Sequence, residues 1–174
     1  MQKSLEIPEF REQPPEQYRS RQFYLNNLGI YHCNTQTMNC FLWDEYTAHK
    51  ESDDICSTLY LFLQDKMDFN KTLILWSDNC VSQNTSWKIF RFGFWLVETR
   101  KFKEVVLKQL LKGHTFNICD VYFGGIENKC KNMDMFLPEH YKAKMTENNC
   151  KTYLMTQAQF FNWDFLDELY QKKR

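Results

Sequence analysis

The stretch that most constrains this chain runs from Lys71 to Asn84, KTLILWSDNCVSQN. Thr72, Leu73, Ile74, Leu75 and Trp76 form an unbroken β-favouring run, which predicts an extended and fully buried strand; Ser77-Asp78-Asn79 ends it abruptly. An acid therefore stands at the carboxyl end of a strand. In an open α/β sheet that edge is where ligands bind, because the strand has finished and the following helix has not yet covered the crevice. The same three residues also suit a turn and helix cap, where local hydrogen bonding alone would select them.

A chain of 174 residues suffices for one domain with a real core. Aromatic residues make up 17% of it, against five Gly and four Pro, which argues against a tail or linker and predicts a packed fold. Lys plus Arg equal Asp plus Glu at 22 each, so net charge gives no footprint for nucleic acid. Local basic patches remain, at Arg91, Arg100, Lys101 and Lys103, at Lys108 and Lys112, and at Lys172-Lys173-Arg174, although solvated faces account for each. Seven cysteines without a C-x-x-C pair, and no signal-like segment near Met1, predict reduced thiols in an intracellular protein. No run approaches the ~18 apolar residues of a membrane span, so no membrane partner is expected.

Residues 1–20 hold Pro8, Pro14 and Pro15, and only Leu5 and Ile7 resemble strand material, which predicts an irregular segment with the remnant of a first strand. Residues 21–33 read as a strand with a bulge or close backbone approach near Gly29, and 39–46 as its hairpin partner. Ile55, Leu59 and Phe62, after Ser52-Asp53-Asp54, predict a helix over 52–65. Another is expected over 84–100, with Trp87, Phe90, Phe94 and Val97 as its core face and Phe92 and Trp95 broadening it, so that it is covered on two sides. Val105-Val106-Leu107 reads as a strand, and Phe116, Cys119, Phe123, Ile126 and Cys130 recur at 3, 4, 3, 4 as a helix. Pro138 opens a short helix over 139–145, and Thr156 with Gln159 forms a capping box before a terminal helix through Phe160, Trp163, Leu166 and Leu169. Residues 21–131 are thus the expected core and 132–174 a helical carboxyl-terminal extension.

With one strand ahead of residue 21 the order is βββαβαβα, the ribonuclease H-like order, which joins an antiparallel meander to parallel βαβ units. Four segments carry a closer likeness: NNLGIY (26–31), LWDE with DDICS (42–45, 53–57), SDNCVSQN (77–84) and GHTFNICDVYFGGIE (113–127). Together they resemble an uncharacterised ribonuclease H-like domain family of eukaryotic mobile elements, related to DDE-type transposases. The resemblance implies an α/β fold with a mixed sheet and flanking helices, its first strand truncated here, followed by a helical tail. It implies a nuclear protein that acts on DNA with Mg²⁺ or Mn²⁺, by hydrolysis or strand transfer at a phosphodiester. Asp78 becomes the acid after the central strand and Asp120 the acid of the final helix; Asp54 stands where the family more usually has Glu. Family members carry a further Asp just before the Met-Gln-Lys-like stretch, whereas this chain begins at Met1. Ser82, Thr85, Ser86 and Glu51 replace the family's preferred Gly, Lys, Asn and Gly. The expectation is a diverged, catalytically impaired copy, or a non-enzymatic domesticated module that binds protein or nucleic acid on the same fold; the sequence names no protein partner.

Hard cations take oxygen ligands, and a two-ion site for phosphoryl transfer holds them about 3.5–4 Å apart. Asp78 and Asp120 are therefore the candidate metal ligands, with carboxyl carbons expected within about 8 Å of each other. Glu127 shares a helical face with Asp120 but lies roughly 10.5 Å along the axis, which leaves it either a solvated flank or the partner of a ligand. Asp54 divides between ligand and helix cap. His114, on the preceding loop, could orient or release phosphate or be a plain surface residue. Asp44 and Glu45 are lesser candidates at a strand end. Cys80, His114, Cys119 and Cys130 match no zinc spacing, and the helical repeat explains Cys119 and Cys130 as core. Trp87, Phe90 and Phe94 could stack bases, but their helical spacing reads as core.

Overall fold

The computed structural model describes residues 2–12, 21, 23–77, 87–111, 117–131 and 133–171. In chain order the elements are β1 (Gln2–Ile7), β2 (Phe23–His32), β3 (Thr37–Asp44), α1 (Ser52–Leu63), β4 (Asp68–Ser77), α2 (Trp87–Glu98), β5 (Phe102–Gln109), α3 (Ile118–Cys130), α4 (Pro138–Glu147), β6 (Cys150–Leu154) and α5 (Phe165–Gln171). The first eight follow the expected order βββαβαβα, and the whole is a mixed α/β fold with a mixed sheet and flanking helices. The chain divides into two compact units, Met1–His49 with Phe116–Gln157, and Lys50–Thr115 with Ala158–Arg174.

In the first unit the sheet order is β1-β2-β3-β6, antiparallel through the meander and parallel between β3 and β6. The first strand is not a poorly formed remnant. It pairs with β2 along its whole length, from Gln2 opposite Leu28 to Ile7 opposite Phe23, and so covers the edge that truncation would have bared. Backbone pairing does not require high side-chain propensity, so β1 includes Gln2, Lys3 and Ser4 while its Leu5 and Ile7 enter the core. Nor is 132–174 a purely helical extension. Cys150–Leu154 completes the sheet, with Met38 opposite Cys150 and Leu42 opposite Leu154.

Leu5, Ile7, Leu25, Met38, Cys40, Leu42 and Cys150 supply the sheet's share of a core closed by Cys119, Phe123, Ile126 and Cys130 of α3 and by Tyr141 and Met145 of α4. From Cys119 to Cys130 the expected helical repeat is therefore the buried face of α3, while Phe116, the first residue of that repeat, lies outside the described residues. Gly29 makes the close approach anticipated for it: a Cβ there would lie 2.5 Å from Met38 Cε and 2.6 Å from Phe123 Cζ. No bulge is needed, since β2 and β3 keep continuous register from Leu25 to His32.

In the second unit β4 and β5 pair in parallel with α2 as their crossover. Gly93 brings α2 down onto β5, where an added Cβ would touch Val105 at 3.4 Å. Two expectations fail here. The buried face of α2 is Ile89, Phe92, Gly93 and Leu96, whereas Trp87 and Phe94 are exposed. The helix is apolar on two faces, and the glycine decides which can approach the sheet. The β4 strand is not fully buried either, for Ile74 and Trp76 are more than half exposed. A helix covers only one face of a strand, and alternate side chains point away from it.

The terminal helix also begins later than the capping-box pattern implied. Only Gln157–Gln159 forms a short 3-10 turn, and the helix starts at Phe165. Trp163 is drawn into a cluster with Phe92, Trp95 and Tyr60, at centroid distances of 5.0, 5.4 and 5.7 Å, and the residues just before it are not helical. Among the described residues no helix is long and apolar enough to cross a membrane.

Candidate functional site

Of the five acids and bases proposed for the site, Asp78 and His114 lie outside the described residues, as does Cys80, so the expected convergence of Asp78 on Asp120 lies outside them too. Asp78 immediately follows the last residue of β4 in sequence.

Asp120 opens α3 at its third position, beside the carboxyl end of β2, where the Cys119 thiol points to the Gly29 carbonyl at 3.9 Å. Its Oδ2 accepts the Asn117 backbone N–H at 2.8 Å, while Asn117 Oδ1 accepts that of Cys119 at 2.7 Å. This is a reciprocal capping box, and a carboxylate in the first turn also meets the positive end of the helix dipole. Asp54 does the same in the other unit: its Oδ2 accepts the Glu51 N–H at 2.9 Å at the start of α1, and its carboxylate is buried. Both acids are thus engaged at the N3 position of their own helices. That role was foreseen as an alternative for Asp54 and not for Asp120.

Glu127 is exposed and ion-paired with Lys3 of β1. Its place is a charged flank joining α3 to the edge strand. Asp44 closes the end of β3, with Oδ1 accepting from Tyr46 N at 3.0 Å and Thr47 N at 2.7 Å, and Glu45 pairs with Arg21 at 3.0 Å. These acids terminate and brace a strand. Cys119 and Cys130 sit in the buried stripe of α3; burial raises both thiols above their ordinary value, Cys130 to about 11. Among the described residues no three His, Cys, Asp or Glu side chains are grouped so as to hold a metal ion. The donors that would suit Mg²⁺ or Mn²⁺ are carboxylate oxygens, and Asp54 and Asp120 supply them at two helix starts.

The pattern reading missed two polar features. Asn27 of β2 is 1% exposed, and among the described residues neither of its amide atoms has an oxygen or nitrogen partner. A polar residue inside an otherwise strand-like run was the available signal. The second is Lys88 at the start of α2, held by Asp53 at 2.5 Å and Asp164 at 2.8 Å. Burial opposes its charge, but the two carboxylates outweigh it and raise its pKa. Nothing in the spacing of Asp53, Lys88 and Asp164 foretells that they meet.

No curated protein and no solved structure is similar enough to this chain to count as a match. A family model does match, from residue 21 to residue 171, with α1, α3 and all strands but the first inside the match. The chain belongs to the family described as Domain of unknown function (DUF7869).

Proposed function

We propose that this chain is a ribonuclease H-like domain derived from a DDE-type transposase of mobile elements, with metal-dependent hydrolysis or strand transfer at DNA phosphodiesters as its ancestral reaction. The observation that carries this reading is the order of elements: an antiparallel meander, α1, a parallel β4-α2-β5 crossover, and then α3 opening on Asp120. The motif acids support it, Asp78 directly after β4 and Asp120 in the first turn of α3. In this reading Asp78 and Asp120 would hold Mg²⁺ or Mn²⁺, which when bound would supply charge neutralisation for phosphoryl transfer. Asp54 is the third candidate ligand, and His114 the group that orients phosphate. DNA would be the partner and the nucleus the place of action.

A second reading, a non-enzymatic interaction module on the same fold, gains from the work the acids already do. Oδ2 of Asp54 and Oδ2 of Asp120 each cap a helix, and Glu127 is committed to Lys3. We therefore infer impaired chemistry in a transposase-derived fold. The test is cleavage of labelled single- and double-stranded DNA with Mg²⁺ or Mn²⁺ by the chain and by its Asp78→Asn variant. The expected result is no metal-dependent cleavage by either. Cleavage by the first that disappears in the second would make the chain an active enzyme and overturn the impaired reading.

A further inference from the structure

The helix α2 carries two apolar faces, and the second is only partly covered. Trp87 is 76% and Phe94 64% exposed, with Phe90 and Val97 half-buried beside them. These four recur at i, i+3, i+7 and i+10, so they form one stripe opposite the buried Ile89, Phe92, Gly93 and Leu96. The Trp87 and Phe90 rings are neighbours at 6.0 Å, and Phe94 leans on Tyr170 of α5 at 6.2 Å. A 12-residue helix rises about 18 Å, and the stripe runs along nearly all of it. Exposed aromatic surface of this continuity marks an interaction site.

We propose that the stripe is an isologous interface, on which α2 of a second copy of this chain packs antiparallel. The spacing is self-complementary. Positions 87 and 97 share the midpoint 92 with positions 90 and 94, so a two-fold axis there sets the large Trp87 against the small Val97 and Phe90 against Phe94, in both directions at once. Charge selects the antiparallel sense. Glu98 ends the stripe and accepts the Tyr170 hydroxyl at 2.7 Å. An antiparallel partner brings Glu98 against the positive end of the other helix dipole, whereas a parallel one would set Glu98 against Glu98 and like dipole ends together. The two cations of the helix do not interfere, because Asp53 and Asp164 hold Lys88 and Asp167 holds Arg91. One helix face is at the small end of specific interfaces, so the dimer is weak, with dissociation on the order of 10 µM. This inference is independent of the nuclease reading.

The test is sedimentation velocity and light scattering of the full chain from about 1 to 200 µM, a span that brackets that estimate. The mass is expected to rise from one copy to two. Phe94→Glu and, separately, Trp87→Glu should stay monomeric throughout with unchanged far-UV spectra, since both side chains are exposed. Phe94→Leu should still dimerise, and Glu98→Lys should weaken the dimer about 3–10-fold through the dipole contact. Wild-type chain that remains monomeric at the highest concentration would overturn the proposal and leave the stripe to a different partner. A dimer indifferent to both glutamate variants would overturn it as well, by putting the contact elsewhere.

Discussion

Replacing Trp163 by Ala should remove the keystone of the second unit. Its indole is 4% exposed and packs against Phe92, Trp95 and Tyr60. Its Nε1 donates to Ser57 Oγ at 2.9 Å, and its backbone N–H donates to Asp53 Oδ2 at 3.3 Å. A tryptophan buries about 150–250 Å², which at ~25 cal/mol per Å² corresponds to roughly 4–6 kcal/mol as an upper figure. Large-to-small changes of this kind cost about 3–5 kcal/mol, and a loss near 4 kcal/mol is expected here. Trp163→Phe keeps much of the packing but deletes the donor, for about 1–2 kcal/mol. Ser57 Oγ donates to the Asp53 carbonyl at 2.7 Å and accepts from Phe161 N and Trp163 Nε1, both at 2.9 Å, which uses its full capacity. A double-mutant cycle of Trp163→Phe with Ser57→Ala should therefore return a coupling near 1 kcal/mol. The assay is urea unfolding followed by far-UV circular dichroism, with slopes compared. A Trp163→Ala loss under about 1.5 kcal/mol, far below the range for such sites, would refute the keystone argument.

Gly29→Ala should cost about 1–3 kcal/mol, because the Phe123 ring on α3 cannot yield as the end of Met38 can; a thermal midpoint equal to wild type would contradict this close approach. Asp120→Ala should destabilise by roughly 0.5–1 kcal/mol as a lost cap. If it acts as a cap alone, that loss will be the same with and without Mn²⁺, whereas a loss that grows with Mn²⁺ would identify a metal ligand. Stability should fall at alkaline pH. The Cys130 thiol is pushed up by burial from its ordinary 9.0 to about 11, and burial likewise raises Cys56. The folded state therefore holds protons that the unfolded state releases, so this contribution is complete below pH 9 and is lost as the pH rises towards 11 and beyond. Unfolding curves between pH 7 and 11 check it, and Cys130→Ser should flatten the decline.

The legible parts of this chain were those whose signals are local. Asp53 and Asp54 ahead of Ile55 and Leu59 mark the start of α1, Pro138 marks that of α4, and the buried stripe of α3 follows its own periodicity. Strands β2 and β3 were legible as a hairpin because aromatic runs flank a polar turn. The candidate site was less so. The sequence named Asp120 and Asp54 but could not separate a ligand from a capping residue, since a carboxylate three positions into a helix suits both roles. The links of Glu127 to Lys3 and of Lys88 to Asp53 and Asp164 join residues far apart in the chain, and no spacing rule reaches that distance.

By itself, then, the sequence determined the order ββαβαβα from residue 21, the helical periods and the acids offered at helix starts, because period and capping act over a single turn, whereas the complete first strand showed only in its pairing with β2. Tertiary structure alone decided which face of α2 is buried, since two apolar stripes compete and only the one containing Gly93 can close on Val105 and Leu107. It also decided that the short, half-polar Cys150–Leu154 is a strand, because β3 offered it an edge in register. It decided that the run to Trp163 is not helical, because the indole's place among Phe92, Trp95 and Tyr60 outweighs a local preference for one more helical turn.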